Sequence, residues 1–570
     1  MDSLYEKLSE ERKKLQEEGN MPEWWSTGGW QLYKKKYLYQ AEHPREQFQR
    51  IAKTLAKHIE GKYPDWWPTG LTWEQAFFDE MWTGRLSPST PVHSNTGTNR
   101  GMSVSCSGNY IDNSIYGIYD CRTEVSVLTK EGFGTATYLG SLSPRGTVSV
   151  RGVECSGVVP IVKGFVEDMR YTAQGTSRRG AWAGYIEIEH GDFWELIALL
   201  EAEPDDLNIG WIVTKEFKEN LEAGDEESLA RMRRILKVKM ITGKGYFFFP
   251  EKANAKRPQM YKDLGLFVTA PQLCNEIMLH SSPELTYTCV LSSTNLMHWK
   301  TIKDNKSVFI QTVLLDCVAQ DFIEKATGIK GLEKAVKFTK LGRALGLGVT
   351  AFHSYLQSNM IPFESLEAHM WNNQVFKHIS EQSLEASQWM AQVLGEPEWC
   401  KGYGVRNTHR MAVAPTKSTS LLMGGVSEGI NPDPAMTFTQ LTAAGEVDRA
   451  NPILLKLMKD RGVYDKKHMK ELTEAQGSVQ NVSWLTEEEK LVFKTAFEID
   501  QMAVLRLAAG RQRYIDQGQS LNLFFSAEED EEYISEVVKE AFDNPDILGL
   551  YYFYSKAGVT ASKGECLACQ

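Results

Sequence analysis

The residues of this chain best equipped for chemistry lie in Ala270-Pro-Gln-Leu-Cys-Asn-Glu-Ile-Met-Leu279, with Cys274 near the centre. In extended backbone, side chains alternate between faces, so Gln272, Cys274 and Glu276 share one face and Leu273, Asn275 and Ile277 the other. The ordinary reading of such a cysteine is a small apolar core residue. A thiol between an amide and a carboxylate can do more, because the carboxylate can move protons while the sulfur changes oxidation state. Further thiols follow in Thr286-Tyr-Thr-Cys289, precede in Ser103-Val-Ser-Cys106, and end the chain in Cys566-Leu-Ala-Cys569-Gln570. The residues alone leave two readings open. One is a thiol-disulfide oxidoreductase working through Cys566 and Cys569; the other is a zinc-binding scaffold of Cys106, Cys289, Cys566 and Cys569. The terminal pair is only half of a four-thiolate zinc set, and no H-E-x-x-H pattern occurs, so no metal site is assigned.

A second chemical stretch runs from Met411 to Gly425: an apolar strand, the turn Pro415-Thr-Lys-Ser-Thr-Ser420, then a short helical run. That order aims backbone amides and hydroxyls at one point and suits an anion. It lacks the glycines and terminal Lys-Ser/Thr of a Walker loop, and its ordinary reading is a helix cap.

The elements that must position these groups are legible in outline. Residues 3–18 read as a charged helix, 21–31 as an aromatic loop, and two more helices start at Pro44 and near Thr72. Residues 1–85 therefore form a small helical N-terminal region. After Ser87-Pro-Ser-Thr-Pro91 short apolar runs alternate with helices, which predicts an α/β core. The expected strands are Met102–Cys106, Gly180–Ile188, Lys237–Ile241, Gly245–Phe249 and Cys289–Leu291. Helices are expected over 363–394 and 484–509, and the acidic run 527–532 reads as a solvated helix start. Glycines concentrate in 133–181, where backbone either moves freely or approaches a ligand.

With 570 residues, 42% hydrophobic and 24% charged, the chain has ordinary globular composition. Its net charge of −11 argues against a polynucleotide partner. It has no run of eighteen apolar residues and no signal-peptide pattern, so no membrane is expected and the location is read as cytoplasmic. Nine cysteines at irregular spacing do not read as a secreted disulfide framework.

An ordered set of motifs then carries a resemblance. Arg85-Leu-Ser-Pro-Ser-Thr-Pro-Val92, Cys106, Ser114-Ile-Tyr-Gly-Ile-Tyr-Asp120, Gln272-Leu-Cys-Asn-Glu276 and Cys289 come first. Pro415–Ser420, Tyr514-Ile-Asp-Gln-Gly-Gln-Ser-Leu-Asn522, Leu550-Tyr-Tyr552 and the terminal Cys-x-x-Cys follow. Together they resemble the catalytic large (alpha) subunit of a class I ribonucleotide reductase, over roughly residues 28–570. The family's N-terminal ATP cone has no room, which points to a short, phage-type form. The resemblance implies a ten-stranded α/β barrel with a central finger loop, spanning 86–548 after the helical region, then a flexible redox tail over 549–570.

It also implies roles. Cys274 would be a thiyl radical that takes the 3′ hydrogen of a ribonucleotide, Glu276 the base on the 3′-hydroxyl, and Gln272 a contact to the sugar where the family usually has asparagine. Cys106 and Cys289 would supply two electrons and end as a disulfide. Cys566 and Cys569 would then reduce that disulfide and be recycled by a thioredoxin- or glutaredoxin-like protein. Cys566 lies fourteen positions beyond Tyr552, a reach of about 50 Å. Thr90, Ser105, Thr416, Lys417, Ser418, Thr419 and Ser420 would hold the substrate's phosphates, with Arg178 on a loop to its base. Asp112 or Asn113 would meet a dNTP or ATP effector, near helices through which two copies pair. Tyr551 and Tyr552 would pass the radical from a separate ferritin-like small subunit carrying the metal, so no cofactor is expected in this chain. An adenosylcobalamin-dependent relative would need no such tyrosine pair.

Overall fold

The computed structural model describes residues 4–172, 180–442 and 445–555. The N-terminal region is helical: α1 (Leu4–Glu17), α2 (Thr27–Lys36), α3 (Pro44–Ala56) and α4 (Trp73–Trp82). Thr72 and Gln75 cap α4 reciprocally, and Pro44 opens α3, as their types favour. The expected aromatic loop 21–31 ends early because Ser26 caps α2 by accepting from the Gly29 amide. Trp25, Trp30 and Tyr33 are buried, so these aromatics anchor the core.

The remainder is the expected barrel. Strands β1 (Leu86–Pro88), β2 (Cys106–Tyr110), β3 (Gly134–Tyr138), β4 (Trp182–Glu187), β5 (Ile209–Ile212), β6 (Tyr246–Phe248), β7 (Tyr287–Asn295) and β8 (Leu345–Thr350) come first. Helix α5 (Thr90–Asn95) follows β1, and α6 (Ile115–Glu131) follows β2. β2 to β6 form five parallel neighbours. A second parallel group runs from β7 through β8 and Met411–Val413 to residues 518–525 and 549–555. Backbone hydrogen bonds join its members, from Leu345 to His409, Val413 to Gly518 and Tyr551 to Leu521. Two antiparallel seams, β2 with β7 and β6 with Gly549–Leu550, close the ring of ten segments.

Several expected boundaries are corrected. The strand placed at Met102–Cys106 begins at Cys106, and Lys237–Ile241 belongs to the helix Glu226–Thr242. The helix expected over 484–509 is two, Glu487–Val492 and Gln501–Gln512, the second capped by Asp500. Residues 549–555, expected in the flexible tail, are barrel wall, because their backbone groups complete the sheet. Among the described residues no helix is long and apolar enough to cross a membrane.

Candidate active site

The segment around Cys274 leaves the wall and enters the barrel as a finger. An antiparallel bridge between Val268 and His280 closes its base. The tip is a turn, not the extended strand expected: the Asn275 amide donates to the Gln272 carbonyl (3.0 Å), and Asn275 has φ 70°. Asparagine tolerates that left-handed conformation better than most side chains. Two wall glycines make room for the finger. A Cβ on Gly549 would lie 2.5 Å from Asn275 Nδ2, and one on Gly518 would lie 2.5 Å from Met278 Cε. The wall then grips it: Tyr185 donates to the Gln272 carbonyl (2.9 Å), Asn275 to the Phe247 carbonyl (2.9 Å), and the Gly518 amide to the Glu276 carbonyl (2.8 Å).

The fingertip faces a cavity inside the barrel. Cys274, Glu276 and Cys106 line it, with a hydroxyl-rich rim of Ser87, Ser89, Thr90, Ser105, Ser292, Ser293, Thr416, Ser418 and Thr419. Cys289 stands directly across from Cys106 in the β2–β7 register, one layer behind the lining. Directly opposed antiparallel residues have Cβ atoms about 4.5–5.5 Å apart, within a small shift of disulfide geometry. Neither is in a disulfide here, and burial pushes the Cys289 thiol well up, so it carries its proton at neutral pH.

Glu276 is fully buried, and burial raises its carboxyl to about 7 against the opposing pull of Gln272 and Ser520. Ser520 Oγ lies 2.7 Å from the Cys274 carbonyl and 2.9 Å from Glu276 Oε2. One hydroxyl has one proton to donate. When it goes to the Cys274 carbonyl, the second contact requires a protonated Glu276, in keeping with the raised pKa.

The expected members divide. Thr90, Ser105, Thr416, Ser418 and Thr419 reach the cavity, whereas Lys417 and Ser420 do not line it. Ser420 Oγ donates to the Lys417 carbonyl (3.1 Å), and the Lys417 ammonium donates to the Tyr554 hydroxyl (2.9 Å). Gln272 does not line the cavity either, and sits behind Cys106 and Glu276. Its side-chain carbonyl accepts from the Ile277 amide (2.8 Å), and its Nε2 is 3.8 Å from Cys106 Sγ. Asp112 and Asn113 are exposed beyond the far end of β2, Asp112 accepting from Ser114 and Asn113 donating to Ser143. Arg178, Cys566 and Cys569 lie outside the described residues.

Tyr551 and Tyr552 are buried in one apolar cluster with Cys274, their ring centroids 4.3 Å apart. Tyr246 joins them, its hydroxyl 3.2 Å from that of Tyr552 and its ring 4.7 Å from Tyr551. Sequence reasoning missed Tyr246, and it missed Lys36, a buried cation on α2 that donates to Ser418 Oγ (3.3 Å). Neither stands in a motif; only packing brings them here. Ser292 and Ser293 were missed too, although they follow Cys289 along the same strand.

Comparison with known proteins agrees with this geometry. The ribonucleotide reductase barrel-domain family model matches residues 104–233, 229–403 and 397–553, and the ribonucleotide reductase all-alpha domain matches 26–101. The chain is 32% identical to a putative ribonucleoside-diphosphate reductase large subunit of Frog virus 3, over 86% of this chain and 91% of that one. It is 28% identical to the ribonucleoside-diphosphate reductase large subunit of Invertebrate iridescent virus 3, over 94% of both. Among solved structures it is similar to the Actinobacillus ureae class Id ribonucleotide reductase alpha subunit, with TM-score 0.86, 36% identity, and coverage of 95% of this chain and 99% of that one. The finger in its closed barrel, the thiols around one cavity and these matches lead to one conclusion: the chain belongs to the ribonucleotide reductase family, as a class I catalytic large subunit.

Proposed function

We propose that the chain reduces ribonucleoside diphosphates at the 2′ carbon, with Cys274 as the hydrogen-abstracting thiyl. The observation that carries this reading is the placement of Cys274, Glu276 and Cys106 on one hydroxyl-rimmed cavity, with Cys289 in register behind Cys106. The Cys274 thiyl takes the 3′ hydrogen atom, and Glu276, as carboxylate, takes the 3′-hydroxyl proton. The 2′ oxygen leaves as water after receiving a proton from the Cys106–Cys289 pair. The two thiols give up two electrons and two protons in all and become a disulfide, Glu276 returns its proton to the 3′ oxygen, and the 3′ hydrogen returns from Cys274. Thr90, Ser105, Thr416, Ser418 and Thr419 supply hydroxyls for the phosphates, with Lys36 beside Ser418 as counter-charge.

The partner in this reading is a ferritin-like small subunit whose metal-radical centre supplies a one-electron oxidant; no cofactor is placed in this chain. Tyr552 and Tyr551 relay that oxidation to Cys274. Cys566 and Cys569 reset the disulfide by thiol exchange and are themselves reduced by a thioredoxin- or glutaredoxin-like protein. Asp112 and Asn113 take a nucleotide effector, with Arg178 toward the substrate base. The exposed Ile115, Tyr116 and Tyr119 on α6 supply an apolar face for pairing two copies. The cytoplasm is the compartment that suits reduced thiols.

The test is a reductase assay with ribonucleoside diphosphates, with and without the small subunit. Deoxynucleotide should form only with both subunits. Formation by this chain alone would contradict the division of labour.

A further inference from the structure

The turn 415–420 touches two things at once. Thr416, Ser418 and Thr419 line the cavity, while Lys417 between them points the other way, into the tyrosines. Its ammonium donates to the Tyr554 hydroxyl at 2.9 Å and stands 5.0 Å from the centroid of the Tyr552 ring. Tyr554 is two residues beyond Tyr552 in extended chain, so the two rings fall on one side, their centroids 5.5 Å apart. Phe524, its cross-strand neighbour, stacks on Tyr554 at 5.0 Å and 16°. The rings thus form a series, Tyr551 to Tyr552 at 4.3 Å and Tyr552 to Tyr554 at 5.5 Å. The first two are buried; Tyr554 is half-buried, so the series ends where a partner can reach it.

We infer that Tyr554 is a third redox tyrosine, the one that gives its electron to the small subunit, and that Lys417 is the positioning residue that holds it. This rests on the radical-relay reading above. Lys417 donates to the Tyr554 oxygen, so the phenol keeps its own proton to lose on oxidation. In the first step the small subunit's one-electron oxidant takes an electron from Tyr554 and the phenolic proton leaves with it, giving a neutral phenoxyl. Tyr552 then passes a hydrogen atom to Tyr554, breaking one O–H bond and forming another. Tyr551 does the same to Tyr552, and Cys274 S–H to Tyr551. The sum is one hydrogen atom lost from Cys274 and one electron and one proton gained on the oxidant's side. Each exchange between tyrosines swaps like bonds, so the series adds distance at little energetic cost.

Three substitutions and one replacement test it in the complete two-subunit enzyme. Tyr554→Phe keeps the stack on Phe524 and Tyr552 but cannot lose a proton, and turnover should fall about 100-fold or more with substrate binding intact. Tyr552→Phe serves as the control. Loss in Tyr552→Phe with full activity in Tyr554→Phe would overturn the third tyrosine while sparing the relay; full activity in both would overturn the relay and this inference with it. Because Tyr554→Phe also strands Lys417, a difluorotyrosine at 554, which keeps shape and hydrogen bond but lowers the phenol pKa, supplies a second reading. The pH profile of turnover should change; a profile identical to the parent's would make Tyr554 structural and overturn the inference. Lys417→Met should lower kcat and leave the substrate KM unchanged. A rise in KM with kcat unchanged would make Lys417 a phosphate ligand and overturn its positioning role.

Discussion

Glu276→Gln is the most informative single change, because it should cost activity and raise stability together. Glu276 is fully buried, and its carboxyl is raised from the usual 4.5 to about 7, chiefly by desolvation. At 1.36 kcal/mol per pKa unit, that shift places about 3 kcal/mol of penalty on the charged form. The sign follows from proton binding. Below the unfolded value both states are protonated and nothing is lost; between the two values the folded state holds more protons, so stability falls as pH rises through about 7. The introduced side-chain amide cannot ionise and can still donate to Ser520. The variant should therefore match the parent near pH 4.5 and gain up to about 3 kcal/mol at about pH 8.5. With unfolding entropy near 2.1 cal/mol/K per residue, that gain is about 2–3 °C in Tm for a chain of this length. Paired thermal melts across that pH range measure it, and infrared difference spectra should show a protonated carboxyl in the parent alone, lost above neutrality. Turnover of the variant should be lost, and the parent's kcat/KM should rise with pH along a limb near 7. A melting gap that stays constant from acid to alkaline pH would refute the reasoning, because the carboxyl would then titrate outside this window.

Tyr551→Phe should abolish turnover while leaving substrate affinity unchanged; a tenth of parental activity would contradict the relay. Cys106→Ser and Cys289→Ser should each prevent disulfide formation during a single turnover from prereduced enzyme, read by thiol counting before and after substrate. Gln272→Ala should leave the buried Ile277 amide without its acceptor, costing about 1–3 kcal/mol at the fingertip and appearing as faster local hydrogen exchange there. Lys36→Met should raise the substrate KM with little change in melting temperature if its charge serves the phosphates.

Local chemistry was readable where a residue acts on its own neighbours. Thr72 opening α4, Pro44 opening α3 and the apolar run of β4 all stand where their types placed them. The apolar run Lys237–Ile241 was read as a strand because five residues cannot separate two periods; Met232, Ile235 and Val238 show the helical one. The resemblance gave the finger, but local alternation alone read its tip as extended chain. Its geometry comes from Gly518 and Gly549, more than two hundred residues away, which no local pattern contains. Gln272 was expected at the sugar because the resemblance has asparagine there; the turn brings its side-chain carbonyl to the Ile277 amide, a contact no local pattern shows. Lys417 was expected at the phosphates on the strength of its motif, and the short helix it begins turns it toward Tyr554. Residue types thus picked out the thiols and the carboxylate that meet at the cavity, while closure of the barrel decided which way their neighbours face.

The radical on Cys274 is the centre of the whole reading, and one measurement bears on it most directly. Cys274→Ser is to be assayed with the small subunit, a reductant and a ribonucleoside diphosphate, with substrate affinity measured on the same sample. Serine keeps the fingertip's shape but has an O–H bond too strong to be broken by a tyrosyl radical. The variant should bind substrate like the parent and form no deoxynucleotide. Substantial deoxynucleotide from it would contradict hydrogen abstraction by Cys274.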